Sequence, residues 1–113
     1  MMTKFTKFIL KKNSYIDDAV KMISVNNSRA VFILDKKKII GVVSEGDILK
    51  ALIYKKNLNT PVHKIMNKSF KFLNNKDLEL AKKYFVKFSI SIIPVVNKKM
   101  ELKDIITIND ILQ

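Results

Sequence analysis

The sequence predicts an α/β fold, a small α+β sandwich of two β-α-β-β-α repeats, and three observations carry the prediction. Segments of the chain recur at a nearly constant offset. Within each repeat the apolar spacing switches between the period of a strand and that of a helix. The composition, 48% hydrophobic and 28% charged, is that of a folded protein rather than a disordered one.

The recurrence is clearest in the apolar strands. Ala30-Val31-Phe32-Ile33-Leu34-Asp35 aligns with Ile92-Ile93-Pro94-Val95-Val96-Asn97 at an offset of 62 residues. Ile40-Gly41-Val42-Val43-Ser44-Glu45-Gly46-Asp47-Ile48-Leu49 aligns with the ten residues from Lys103 to Leu112 at an offset of 63. One residue is therefore added in the second hairpin. Taken in order, the first repeat begins with a short strand over 8–10. An amphipathic helix over 15–27 follows, with Ile16, Ala19, Val20 and Ile23 on one face and Ser14 with Asp17 as a capping box. Strands over 30–34 and 39–43 flank the polar turn Asp35-Lys36-Lys37-Lys38. A second helix starts after Ser44 and can run on to Lys55.

Thr60-Pro61 reads as an N-cap followed by proline at the first helical position, so a short helix near 61–66 joins the halves. The second repeat then has a strand over 70–73 and a helix over 76–88 carrying Leu78, Ala81, Phe85 and Phe88 on one face. Strands over 92–96 and 103–106 flank the turn Asn97-Lys98-Lys99, and a last helix starts after Thr107 at about Ile108. The repeats span 1–60 and 61–113. Each alone buries too little surface to stand comfortably, so the two are expected to pack as one module.

Composition excludes several function classes. The chain has no cysteine, which rules out disulfides and thiolate–metal sites. No apolar run approaches the roughly 20 residues needed to cross a bilayer. Lysines rather than a long apolar core follow the first residues, so no signal peptide is read and a cytoplasmic protein is expected. The formal charge of +12 suggests nucleic acid. Against that, Arg29 is the only arginine, and the lysines are scattered along the whole chain. A specific nucleic-acid binder would use more guanidinium groups. His63 is the only histidine, so no metal site is expected. With glycine only at 41 and 46, there is no Gly-rich phosphate loop. Asp17-Asp18 reads as charge matched to a helix N-terminus rather than a catalytic pair. Phe70, Phe72, Tyr84, Phe85 and Phe88 follow strand and helix periods and read as core and interface. No nucleophile–base or metal constellation is present, and the chain does not read as an enzyme.

The β-α-β-β-α order, the strand ending Pro94-Val95-Val96-Asn97 and the segment Gly41-Val42-Val43-Ser44-Glu45-Gly46-Asp47 resemble the cystathionine-β-synthase-type (CBS) repeat. The resemblance covers nearly the whole chain and makes it a tandem pair, a Bateman module, with the repeats related by a pseudo-two-fold. From Glu45 through Asn59-Thr60-Pro61-Val62 to Ile65-Met66-Asn67-Lys68 it is similar to the CBS pair fused to bacterial sugar-nucleotidyltransferases, and to the pair that follows sugar-phosphate isomerase domains. The start so near the first residue favours the former. The last helix, cut to little more than a turn, favours a regulatory region excised from a longer chain.

The resemblance implies a regulatory ligand, AMP, ADP, ATP or a related adenosyl compound, bound in clefts between the repeats. Ser44 and Thr107 sit where a helix begins, and free N–H groups there attract phosphate. Asp47 and Asp110 lie one turn on, where a carboxylate can accept both ribose hydroxyls. Carried over residue by residue, Ser44 and Thr107 contact phosphate, Asp47 and Asp110 contact ribose, and the base lies near Val31 and Ile93. The same Ser-x-x-Asp and Thr-x-x-Asp pattern is also an ordinary helix start. Asp104 replaces the glycine expected opposite Gly41, and Glu45 beside Ser44 disfavours a highly charged phosphate chain. The function expected is a ligand sensor controlling an attached or partner catalytic domain, with a homodimer formed through Ile48, Leu52, Ile111 and Leu112. The competing expectation is a dimerisation module whose clefts are empty.

Overall fold

The computed structural model describes residues 3–112. Its chain divides into two compact units, one through Phe70 and one from Lys71 onward.

In the first unit a 3-10 turn over Thr3–Phe8 leads into strand β1, Ile9–Lys11. Helix α1, Ile16–Asn26, buries Ile16, Ala19 and Ile23. Its N-cap is Tyr15, whose N–H donates to Asp18 Oδ2 at 2.8 Å. The capping pair is thus shifted one residue from the expected Ser14 and Asp17. Ser14 instead uses its backbone carbonyl to receive the Val62 N–H, and Asp17 pairs with Lys21 at 3.0 Å, which raises the lysine's pKa. Strands β2, Ala30–Asp35, and β3, Lys38–Ser44, form an antiparallel hairpin, and β1 adds to β2 in parallel, giving the order β1-β2-β3. β2 is buried along nearly its whole length, as an apolar central strand should be. Helix α2, Glu45–Ile53, closes the repeat.

The linker holds a 3-10 turn, Val62–Lys64, capped by Pro61, rather than a helix capped by Thr60. Sequence repeat and compact body divide at different places here. Val62 is fully buried in the first core, and Asn67 exchanges two hydrogen bonds with Val42 (3.0 and 2.8 Å). The linker thereby adds a one-residue bridge to the free edge of β3.

In the second unit helix α3, Leu78–Phe88, is capped by Asp77, whose Oδ1 accepts the Leu80 N–H at 3.0 Å. Strands β4, Ile92–Val96, and β5, Leu102–Thr107, pair antiparallel, and the short helix α4, Ile108–Leu112, follows. The strand expected over 70–73 is reduced to one parallel bridge between Leu73 and Val95. It supplies a single buried anchor, Leu73, while Phe72 stays 39% exposed. Phe85 joins Ala81, Ile93 and Ile106 in the core, with Tyr84 packed at its margin.

Both hairpins carry the same irregularity. The register shifts between Ile33 and Leu34 opposite Gly41 and Ile39, and between Val95 and Val96 opposite Asp104 and Leu102. Ile40 and Lys103 are the extra, bulged residues, and they are equivalent in the alignment. The inserted residue lies in the second turn. There Asn97 Oδ1 accepts the N–H groups of Lys99 and Glu101 (2.9 and 3.0 Å), and Met100 takes a left-handed φ of 64°.

Candidate ligand site at the hairpin–helix junction

Each repeat ends its hairpin in a hydroxyl residue that is also the first residue of a helix start. In the first, Ala30 pairs with Ser44 across the hairpin, and Ser44 leaves β3 with φ −106° and ψ 169° as the N-cap of α2. The Ser44 N–H and hydroxyl both donate to Asp47 Oδ2 (2.9 and 3.0 Å), while the Asp47 N–H donates to Ser44 Oγ at 3.2 Å. This reciprocal box satisfies donors that would otherwise be orphaned at a helix end. Asp47 Oδ1 has no acceptor duty among the described residues.

The second junction repeats the arrangement. Ile92 pairs with Thr107, the Thr107 N–H donates to Asp110 Oδ2 at 2.7 Å, and the Asp110 N–H donates to Thr107 Oγ1 at 3.3 Å. Helix α4 is only five residues long, so this end has less helix behind it than Ser44 has. The structure therefore brings Ser44 to Asp47 and Thr107 to Asp110, each pair within its own unit. Val31 and Ile93 lie one register step from these pairs, but both are fully enclosed in their cores. Their side chains offer no surface to a base.

One residue of the first junction escapes a motif-based reading. The turn from α1 to β2 is built on Asn26, a buried side chain whose Nδ2 donates to the carbonyls of Lys7 and Ala30 and whose Oδ1 accepts the Ser28 N–H. With Asn27 and Arg29 both at left-handed φ (58° and 65°), that turn delivers Arg29 to the start of α2. The Arg29 carbonyl accepts the Glu45 N–H at 3.0 Å, and its Nε meets Glu45 Oε1 at 3.1 Å. The available signal was that the chain's sole arginine directly precedes a buried strand. Ser91 holds the equivalent backbone place, accepting the Ile108 N–H at 2.9 Å, without a guanidinium.

Beside this junction an open groove of about 680 Å³ is lined by Val20, Ile23 and Ser24 of α1 and by Arg29, Glu45 and Leu49. Asp104 faces a different environment from Gly41. Its Oδ1 accepts the Ile105 N–H at 2.8 Å, with Lys76 at 3.7 Å. His63 lies exposed on the linker turn, and no group of three or more metal-ligating side chains occurs among the described residues. No helix among them is long and apolar enough to cross a membrane.

The CBS domain family matches the chain twice, over residues 1–54 and 62–113. The chain belongs to the CBS-domain family. It is a tandem CBS pair, and CBS pairs are regulatory, non-catalytic modules. Among solved structures, a protein described as an acetoin utilization protein (AcuB) of Vibrio cholerae is 29% identical, with a TM-score of 0.81 over 93% of this chain and 79% of that one. The CBS domain protein PAE2072 of Pyrobaculum aerophilum, complexed with AMP, is 25% identical, with a TM-score of 0.76 over 91% and 81%. The CBS domain pair of MJ0100, in complex with 5′-methylthioadenosine and S-adenosyl-L-methionine, is 25% identical, with a TM-score of 0.76 over 93% and 87%. None of the curated proteins matches the chain. The solved neighbours share the mixed α+β CBS-pair fold.

Proposed function

We propose that this CBS pair senses an adenosyl ligand (AMP, ADP, ATP or a related compound) and so regulates an attached or partner catalytic domain in the cytoplasm. A ligand biases such a domain only by binding one of its arrangements more tightly than another. The observation that carries the reading is the recurrence of one chemical unit at one place. Both hairpins end in a hydroxyl residue locked to an aspartate three residues on, and in both the aspartate spends one oxygen on the cap. The second oxygen is then available to a ribose diol. PAE2072 and MJ0100, both structurally similar, were solved with adenosyl compounds, which supports the ligand class.

In this reading Ser44 and Thr107 meet the 5′ side of the ligand, and Asp47 and Asp110 hold the ribose. The base is walled by neighbours of Val31 and Ile93 rather than by those enclosed side chains. The similarity of the segment from Glu45 to Lys68 to pairs fused to sugar-nucleotidyltransferases makes such an enzyme our candidate for the regulated partner. The module itself carries no catalytic role.

Calorimetric titration of the intact protein with adenosine nucleotides tests the proposal, with dissociation constants expected from about micromolar to about millimolar. The 2′-deoxy analogue should bind more weakly, and Asp47→Ala should shrink that difference, leaving only what Asp110 contributes. No binding of any adenosyl ligand at millimolar concentration would reject the sensor. A second reading, a dimerisation module with empty clefts, would then stand on the exposed apolar face of α2, where Leu49, Leu52 and Ile53 are 62%, 44% and 75% exposed.

A further inference from the structure

The start of α2 is poorly furnished for a phosphate. Of its N–H donors, that of Glu45 is taken by the Arg29 carbonyl and that of Asp47 by Ser44 Oγ. The Ser44 hydroxyl proton and N–H are both committed to Asp47 Oδ2. This leaves the Gly46 N–H as the one donor from Ser44 to Asp47 with no acceptor among the described residues. The charged side chains here are two carboxylates, Glu45 and Asp47, and one guanidinium, Arg29, which Glu45 already holds. The local balance is negative on a protein whose overall charge is strongly positive. A 5′-phosphate seated at this helix end would face both carboxylates and find one free backbone donor. A 5′ substituent without charge would meet neither penalty. The ribose acceptor, Asp47 Oδ1, serves both kinds of ligand equally.

We infer that the first-repeat site selects an adenosine whose 5′ position carries an uncharged group over one carrying a phosphate chain, with Glu45 as the specificity-determining residue. The inference rests on the adenosyl-ligand reading above. Arg29 positions Glu45 and screens it, so its removal should sharpen the discrimination rather than weaken it.

5′-Methylthioadenosine and AMP differ only in that 5′ group and are the two probes. Calorimetry is run on the full chain carrying Asp110→Ala, so that the first repeat alone reports. 5′-Methylthioadenosine should bind at least about tenfold more tightly than AMP, a gap of the size charge repulsion gives at a partly exposed site. Glu45→Gln, an exposed and nearly isosteric change, should shrink that gap several-fold, whereas Arg29→Gln should widen it. Raising salt from about 0.05 M to about 0.5 M should also narrow it by screening the carboxylates. Thermal melts establish that each variant is folded. AMP binding as tightly as 5′-methylthioadenosine overturns the inference, as does a gap indifferent to Glu45→Gln. Loss of AMP affinity in Arg29→Gln would also overturn it, because the guanidinium would then be serving the phosphate. In all three cases the adenosyl sensor survives. If neither probe binds even to the protein with Asp110 intact, the sensor itself fails and this inference with it.

Discussion

Gly41 and Met66 occupy adjoining space that admits only one side chain. A Cβ built on Gly41 would lie 2.5 Å from Met66 Sδ and 3.0 Å from Met66 Cβ. The close approach comes from a side chain of the linker rather than from neighbouring backbone. Met66 packs on the first core while Asn67 bridges to Val42. Gly41→Val should cost about 1–3 kcal/mol through overpacking. Adding Met66→Ala to Gly41→Val should recover part of the loss, because the thioether can no longer collide. A denaturation midpoint unchanged in Gly41→Val would show that the linker shifts aside without cost.

At the equivalent edge of β5 a different device does the same work. The Val42 N–H uses the Asn67 carbonyl at 3.0 Å, whereas the Ile105 N–H uses the side chain of Asp104 at 2.8 Å. Asp104→Ala should therefore cost about 1–2 kcal/mol by leaving that donor without its acceptor. Asp104→Asn keeps an acceptor oxygen and should melt close to wild type. Equal losses in both variants would move the role to the Lys76 ion pair, which at 3.7 Å and partial exposure is expected to contribute little.

Asp47 has a structural duty that must be separated from its proposed ligand duty. It closes the capping box at α2, and Asp47→Ala should cost about 0.5–2 kcal/mol in thermal or chemical unfolding. Affinity for adenosyl ligands should fall independently by about 1.5–3 kcal/mol, the range for a hydrogen bond to a charged group. A variant that loses stability yet binds the ribose and 2′-deoxy forms as differently as wild type does would confine Asp47 to the cap.

Self-association should run through the outer face of α2. Ile48, expected on that face, is 8% exposed and belongs to the core, while its neighbour Leu49 is 62% exposed. Ile48→Ala should cost about 2–4 kcal/mol in stability, and Leu49→Ala should leave the melting curve nearly unchanged. We predict a homodimer at about micromolar concentration, with Ile53→Glu shifting sedimentation toward the monomer. A wild-type protein that sediments only as monomer at about tens of micromolar would remove the dimer from the proposal.

The sequence alone determined the repeat, its offset, the hairpin that carries the insertion and the hydroxyl–aspartate pair at each helix start. These are local properties. Periodicity, turn chemistry and capping act over a few residues, so they survive being read without a third dimension. Elements held by distant contacts were not legible. The segment over 70–73 has strand-like residues but pairs with the sheet through a single bridge, Leu73 to Val95, and Thr60-Pro61 yields a 3-10 turn because Val62 is drawn into the first core. The cap at Tyr15 follows the same logic, since Ser14 is engaged by Val62 from 48 positions along the chain. Only the tertiary structure placed Arg29 against Glu45, because a left-handed turn held by the buried Asn26 carries it there. Spacing shows which residues share a strand or a helix. It does not show which side chains meet when the chain returns, and at this junction that meeting sets the charge a ligand would face.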